Sequence, residues 1–546
     1  VIAAVATIHF AAGVKLRLST GMTGFDSTWY HGPFAAGFFQ RGDTWSLHFI
    51  APQFLAWFYP ANSEVLHAVG MAAFNRDLLS PLLNLGWFVG CLVAGWCVGR
   101  PYKVAPWSLA LTAVAMSTPA LSDQAGEARN DIVGIFFLLA AVAVALNAWE
   151  ARAGGRRALS TGALVVVGLA AGLAAGTKLN FLLPAVVLVA GLVVIAPRGG
   201  RWRALAAAGL AALAGGGYWY LRNLAHTGNP LPWIRHLGPI TLPAPEQALG
   251  GREGHSVFGY LTDGSIWSDW FLPGLHHGLT IFWPLLGALA LVGLLLSLGR
   301  RADPVLRLAG LVGLAAGLAW LVAPTSASGP DGMPHGFESG LRYLAPALVL
   351  GLALLPATPI LRPRLARLRV SLWFLADSAT KHELTGGFGR RAAFGVGGAL
   401  ALLVVAAGYP VQRHYLQDRY ANPSFTTPGL NAAFKWAQGI SDARIATTST
   451  RQYPLYGKDL SNHVDYIGLE RPHGGFTAPT TCRTWRRLLN AGGYDYVVAS
   501  RDRIEPNKPT YPPSAAWTEG PGAKVILRKP PTVVFKLKTP LDPSAC

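Results

Sequence analysis

Charge is what this sequence has least of. Asp, Glu, Lys and Arg make up 13% of its 546 residues, where a soluble domain carries about 25%. Four cysteines exclude a disulfide scaffold and a Cys-rich metal cluster. There is no convincing internal repeat, and the apolar runs hold almost no ionisable residue. Both absences weigh against a transporter, whose charged relays sit at mid-membrane. Apolar residues fill the space instead: 51% of the chain is hydrophobic and 11% aromatic, gathered into long uncharged runs. That is the composition of a polytopic α-helical membrane protein.

Eleven runs approach the length that crosses about 30 Å of hydrocarbon as a helix: 1–14, 79–98, 104–118, 131–149, 161–176, 180–196, 204–220, 278–298, 305–323, 341–357 and 392–409. The first is short and opens without methionine, so its N-terminal end is expected to be missing; a trimmed signal segment is the alternative. The connections near 100–103, 152–157, 198–203, 300–307 and 358–391 carry eighteen Lys and Arg against four acids. The opposite connections are longer and carry ten against thirteen. Short basic loops mark the cytoplasmic face. The long loops 15–78, 119–130, 221–277 and 324–340 therefore face outward, as does everything after 410. The formal charge of +19 is then topology plus a mildly basic outer tail, and nucleic acid is not needed to explain it.

The chain thus divides into a membrane domain, 1–409, and a small outer α/β domain, 410–546. In the tail, Thr427-Pro428 starts a helix that stops near Gly439, and a second helix over 481–491 ends at Gly492-Gly493. Strands are predicted at 444–448, 464–467, 494–499, 524–527 and 533–537 by alternation and β-branching. Cys482 and Cys546 both fall in this oxidising compartment, where pairing and free thiols are both open. Cys91 and Cys97 share one membrane helix and read as small packing or lipid-facing residues.

The ionisable residues gather at the outer ends of helices. Just beyond the first span stands Gly24-Phe25-Asp26-Ser27-Thr28-Trp29-Tyr30-His31-Gly32-Pro33, followed by a predicted interfacial helix over 34–40. One reading is an aromatic belt with a helix-capping aspartate. The other makes Asp26 a general base, with Tyr30 or His31 binding an anion or a sugar. Further along, Gly126-Glu127-Ala128-Arg129-Asn130-Asp131 opens the fourth span, and Gly176-Thr177-Lys178 turns between the fifth and sixth. Tyr220-Leu221-Arg222-Asn223 and Thr227-Gly228-Asn229-Pro230 follow the seventh, and Arg342-Tyr343 enters the tenth. Each has a plainer reading too. Arg222 and Arg342 suit snorkelling to headgroups, Lys178 suits an interfacial anchor, and Glu127, Arg129 and Asp131 suit helix-start electrostatics. His276-His277 lacks partners for a metal and reads as interfacial, and Gly215-Gly216-Gly217 reads as close helix packing.

Taken in order along residues 1–410, this set resembles the GT-C membrane glycosyltransferases, including the protein O-mannosyltransferase-like and aminoarabinose transferase-like enzymes. The acid after the first span, the Arg-and-acid motif, the Thr-Lys turn, the Arg-Asn…Thr-Gly-Asn-Pro stretch and the Arg-Tyr pair fall at similar landmarks. The acidic Asp-X-Asp motif of the oligosaccharyltransferase branch is missing, so no metal and no other cofactor is expected.

The resemblance implies an inverting enzyme that moves a sugar from a polyprenyl-phosphate carrier to an acceptor hydroxyl on the outer face of a bacterial cytoplasmic (inner) membrane. The phosphate leaves without needing a proton, so one base suffices, and cations stabilise the charge growing on it. Asp26 is the expected base, and Arg342, Lys178 and Arg222 the expected phosphate ligands. Glu127, Asp131, Arg129, Tyr30, His31, Asn223, His226, His335, Glu338 and Tyr343 are expected to bind sugar or acceptor, or to support those that do. The lipid tail would lie in a groove between helices, its head beneath the loops at 24–40, 222–277 and 325–342. A glycan, a lipid or a protein would serve as acceptor, with membrane lipids as the surround; the tail is expected to bind acceptor or glycan, or only to cover the site, with no catalytic part. The rivals are a lipid-linked glycan ligase or polymerase, a flippase or transporter, and a non-catalytic scaffold.

Overall fold

The structure, a computed structural model, describes residues 1–52, 55–150, 159–246, 254–367, 426–504 and 507–546. Six helices are long and apolar enough to cross a membrane: Ile2–Thr20, Ser80–Tyr102, Asp131–Trp149, Arg198–Thr227, Pro304–Val322 and Phe337–Ala357. The pair Gly264–Leu279 and Trp283–Ser297 is long and apolar enough only when taken together, and it is bent by 79° at Thr280, whose φ of 69° no helix continues. Three further expected spans form shorter apolar helices, Ala105–Met116, Thr161–Ala175 and Leu179–Ile195. Local stops cut them short: Pro119 begins a separate turn after the first, and Gly176 caps the second. The expected span 392–409 lies outside the described residues. The protein is a multi-pass helical membrane protein with up to seven crossings by length and apolarity among the described residues.

Glycine lets helix backbones approach closely. A Cβ on Gly172 would come within 2.1 Å of the Ala212 carbonyl oxygen, and one on Gly216 within 2.2 Å of that of Gly172. Backbones therefore touch along this seam, the packing that Gly215-Gly216-Gly217 predicts.

After the first helix, Asp26 precedes a π-helical turn, Ser27–His31, that runs straight into helix Gly32–Arg41. This is the helix expected at the membrane interface, but most of it is buried within protein, packed on helix Asn62–Phe74 and on the tail. Gly32 is required here: a Cβ would meet the Tyr453 ring at 2.5 Å.

The tail is an α/β domain around a mixed five-stranded sheet. Its strands are β1 (Arg444–Thr447), β2 (His463–Tyr466), β3 (Tyr496–Ala499), β4 (Ala523–Lys529) and β5 (Thr532–Leu537), in the order β2-β1-β3-β5-β4. β2, β1 and β3 run parallel, and β5 and β4 add antiparallel. Thr427 caps helix Pro428–Ala437 by accepting from the Leu430 amide, and Thr481 caps Cys482–Gly492 by accepting from that of Thr484. Cys482 and Cys546 are bonded, settling a pairing the sequence leaves open.

The domain docks on the first long loop. Gln40 Nε2 donates to the Leu460 and Asn462 carbonyls at 2.6 and 2.8 Å. Trp57 Nε1 donates to Gly474 O at 2.9 Å, and the Gln452 amide to Thr28 O at 3.1 Å. Tyr453 donates to the buried Asp77.

Candidate active site

Where the tail meets the helix ends lies a cavity of about 770 Å³. Asp26, Tyr30, Arg129, His335, Glu338, Arg342 and Tyr343 line it, together with Arg451 and Arg503 from the tail. Asp26 is placed by its loop's backbone. The Glu127 carboxylate accepts from the Thr23 and Gly24 amides at 3.2 and 3.0 Å and from Arg17 Nε at 3.1 Å. Ser27 Oγ accepts from the Ala128 amide at 3.0 Å. Gly24 permits this approach, since a Cβ would lie 2.8 Å from Glu127 Oε2. Glu127 thus staples two loops rather than facing the cavity, and burial pushes its carboxyl up despite Arg17 and these donors.

Asp26 and Arg342, each 9% exposed, form an ion pair through Arg342 Nη1. Burial alone would raise the Asp26 carboxyl. The Arg342 guanidinium, with Arg129, His31 and Lys178 beyond it, outweighs burial and holds that carboxyl well below the usual range. Arg342 Nε also lies 3.8 Å from Asp131 Oδ2. Asp131 in turn takes Lys178 Nζ at 2.6 Å. The Tyr343 ring sits between the cations, 4.7 Å from Lys178 Nζ and 5.2 Å from the Arg342 guanidinium carbon. Burial, then the Asp26 charge, pushes the Tyr30 phenol well above its usual value, so it stays a neutral donor.

A second polar layer lies behind. His31, fully buried, contacts Glu64 through Nδ1. Glu64 also accepts from Asn130 Nδ2 at 3.3 Å, and that group donates to Thr177 O at 3.0 Å. His67 nearby is driven down to about 4 by burial, so it is neutral at physiological pH.

Arg129 reaches the cavity while pairing with Asp123 at 2.8 Å. His335 stands edge-on to Trp270, with ring centroids 4.7 Å apart. Glu338 lies 3.5 Å from His277. Three expected ligands sit elsewhere. Arg222 is buried, donating to the carbonyls of Trp45, Trp57 and Ser46 at 2.9, 3.0 and 3.1 Å. Those bonds occupy its donors in holding the first loop. Asn223 donates to Phe58 O at 2.9 Å and His226 contacts Trp45 O at 3.1 Å, so both support that loop as well. Lys178, His31, Glu127 and Asp131 stand behind the lining.

Sequence reasoning missed Arg451 and Arg503. Arg451 is 2% exposed, its guanidinium 4.9 Å from the Phe25 ring centroid. Its place just past the end of a predicted strand was the one available signal. Glu64, in a long outer loop with no motif about it, gave none. Among the described residues no group of three or more His, Cys, Asp or Glu side chains is placed to hold a metal ion.

No protein-family model and no curated protein matches the chain. Solved structures do. ArnT from Cupriavidus metallidurans bound to undecaprenyl phosphate is similar over 98% of this chain and 97% of its own, with a TM-score of 0.54 at 17% identity. The same protein in the apo state gives 0.51 at 18% identity, over 98% and 96%. The Archaeoglobus fulgidus oligosaccharyltransferase in the apo form gives 0.48 at 11% identity, over 91% and 69%. The chain thus has the fold of ArnT along nearly its whole length. The resemblance implied by the sequence motifs is borne out at the level of the fold.

Proposed function

We propose that this protein is an inverting glycosyltransferase that takes a sugar from a polyprenyl-phosphate carrier on the extracytoplasmic side of the membrane. The observation that carries the reading is the buried Asp26–Arg342 pair in a cavity at the membrane–domain junction. The ArnT whose fold it shares was solved with undecaprenyl phosphate bound, a carrier of the same chemical class.

Free of ligand, Asp26 is a poor base, because Arg342 stabilises its charge. A donor phosphate entering beside Arg342 competes for the guanidinium fork. As that fork turns to the phosphate, burial becomes the dominant influence on Asp26 and its basicity rises. Donor binding therefore activates the base. Asp26 then takes the proton from the acceptor hydroxyl as that oxygen bonds to the anomeric carbon. The bond from that carbon to the phosphate oxygen breaks, and its electron pair leaves with the polyprenyl phosphate. Arg342 and Arg129 stabilise the departing charge. Tyr30, neutral, donates to an oxygen of the sugar or phosphate. Asp131, held by Lys178, adds a negative charge behind Arg342.

Reconstitution with radiolabelled polyprenyl-phosphate sugars tests this. Label should leave the lipid with the native protein. Asp26→Asn, folded by its melting curve, should transfer about 10²–10⁴-fold more slowly. A native rate in that variant would remove Asp26 as the base and favour a ligase-type mechanism.

A further inference from the structure

The tail holds a second cavity, of about 710 Å³, that the reaction above does not use. It opens where three parallel strands stop. Thr448 follows β1, Tyr466 ends β2 and Ser500 follows β3, and all three line it. β1 lies between the other two, so the chain leaves it first to one side and later to the other. Such a switch in direction opens a crevice at the carboxyl ends of the strands, where α/β sheets hold ligands.

The lining is chemically specific. Ser514 is 4% exposed, yet its hydroxyl has no hydrogen-bond partner among the described residues. The buried Arg501 Nε is likewise without one among the described residues. Trp485 is fixed in the wall by its Nε1 bond of 2.9 Å to Thr518 Oγ1, and Trp517 is half-buried beside it. Among the described residues the one lining carboxylate, Asp502, is already engaged. It accepts from Ser449 Oγ at 2.6 Å, from the Thr450 amide at 3.1 Å and from the Thr450 hydroxyl, which ties together the loops after β1 and β3. Arg501 and Arg503 therefore give the cleft a positive balance. The half-buried Trp517, an unsatisfied hydroxyl and surplus guanidinium groups suit a sugar ring that carries an anion. Phe25 and Arg503 line both cavities, so the cleft adjoins Asp26.

We propose that this cleft is the acceptor subsite, and that it takes a carbohydrate bearing a phosphate or carboxylate. Its role as acceptor site rests on the transferase reading; its capacity to bind such a sugar does not. The test uses the full chain in nanodiscs with Asp26→Asn to prevent turnover. Calorimetric titrations compare glucose 6-phosphate, cellobiouronic acid, cellobiose and inorganic phosphate. A second arm places phosphatidylinositol 4-phosphate in the bilayer, to tell a lipid headgroup from a free glycan.

The charged sugars should bind saturably, about tenfold or more tighter than cellobiose or phosphate alone. Arg501→Gln and Trp517→Ala should each weaken that binding about fivefold or more at unchanged melting temperature. Tighter engagement of the bilayer lipid than of the soluble sugars would identify a membrane-anchored acceptor. The proposal is overturned by an absence of saturable binding, by equal binding of inorganic phosphate, or by binding that neither variant alters. Cleft binding without any transfer by the native protein would sink the transferase reading alone, and transfer without cleft binding would sink this inference alone.

Discussion

At the scale of the residue, the central fact is a carboxylate whose charge is held by a guanidinium. Arg342→Ala should slow transfer about 10²–10³-fold, as loss of a preorganised donor to a departing anion does. It should also move the Asp26 carboxyl upward from its lowered position, since Arg129, His31 and Lys178 alone then oppose burial. The sign for stability follows. Because the folded carboxyl titrates below its unfolded value, its contribution is fully present above about pH 4, the unfolded value. It is lost as pH falls through the lowered folded value. Melting temperatures of native protein and Arg342→Ala should therefore differ most near neutrality and converge in acid. Asp26 and Arg342 were legible in the sequence because each stands beside the end of an apolar run, where a charge needs a reason. Arg222 carried the same signal for a different cause. Its three carbonyl partners lie in a loop more than 160 residues earlier, and no local pattern encodes them.

At the scale of the element, period and punctuation did well. Each membrane run in the described residues became an apolar helix, and the five tail strands fall within two residues of their predicted bounds. The misses have physical causes. The helix Gly32–Arg41 is apolar enough for an interface, but it is buried against helix Asn62–Phe74 and against a domain that arrives much later in the chain. The bend at Thr280 depends on one left-handed residue that no composition rule flags. Two predictions belong here. Gly172→Leu should lower stability by about 1–3 kcal/mol or more, the penalty of overpacking, because the Ala212 backbone occupies the space the side chain needs; thermal unfolding in detergent measures it. Replacing Cys482 and Cys546 by Ser should destabilise the tail by about 4 kcal/mol on chain entropy for their separation of 64 residues, read by denaturant titration.

At the scale of the whole molecule, the tail completes the cavity. Tyr453 reaches into the membrane domain to the buried Asp77, and Tyr453→Phe leaves that carboxylate without this donor. Loss of such a bond to a charged partner costs about 1.5–3 kcal/mol, so the variant should show weaker domain docking, seen as faster proteolysis of the tail, and slower transfer. The same junction carries Arg451 into the wall of the Asp26 cavity. Asp26 and this arginine stand more than four hundred residues apart, so the cavity gains this wall only once synthesis has run on into the tail. A nascent or truncated polypeptide lodged in the bilayer would thus hold the Asp26–Arg342 pair, yet lack the enclosure that the proposed transfer needs to keep water from an activated sugar.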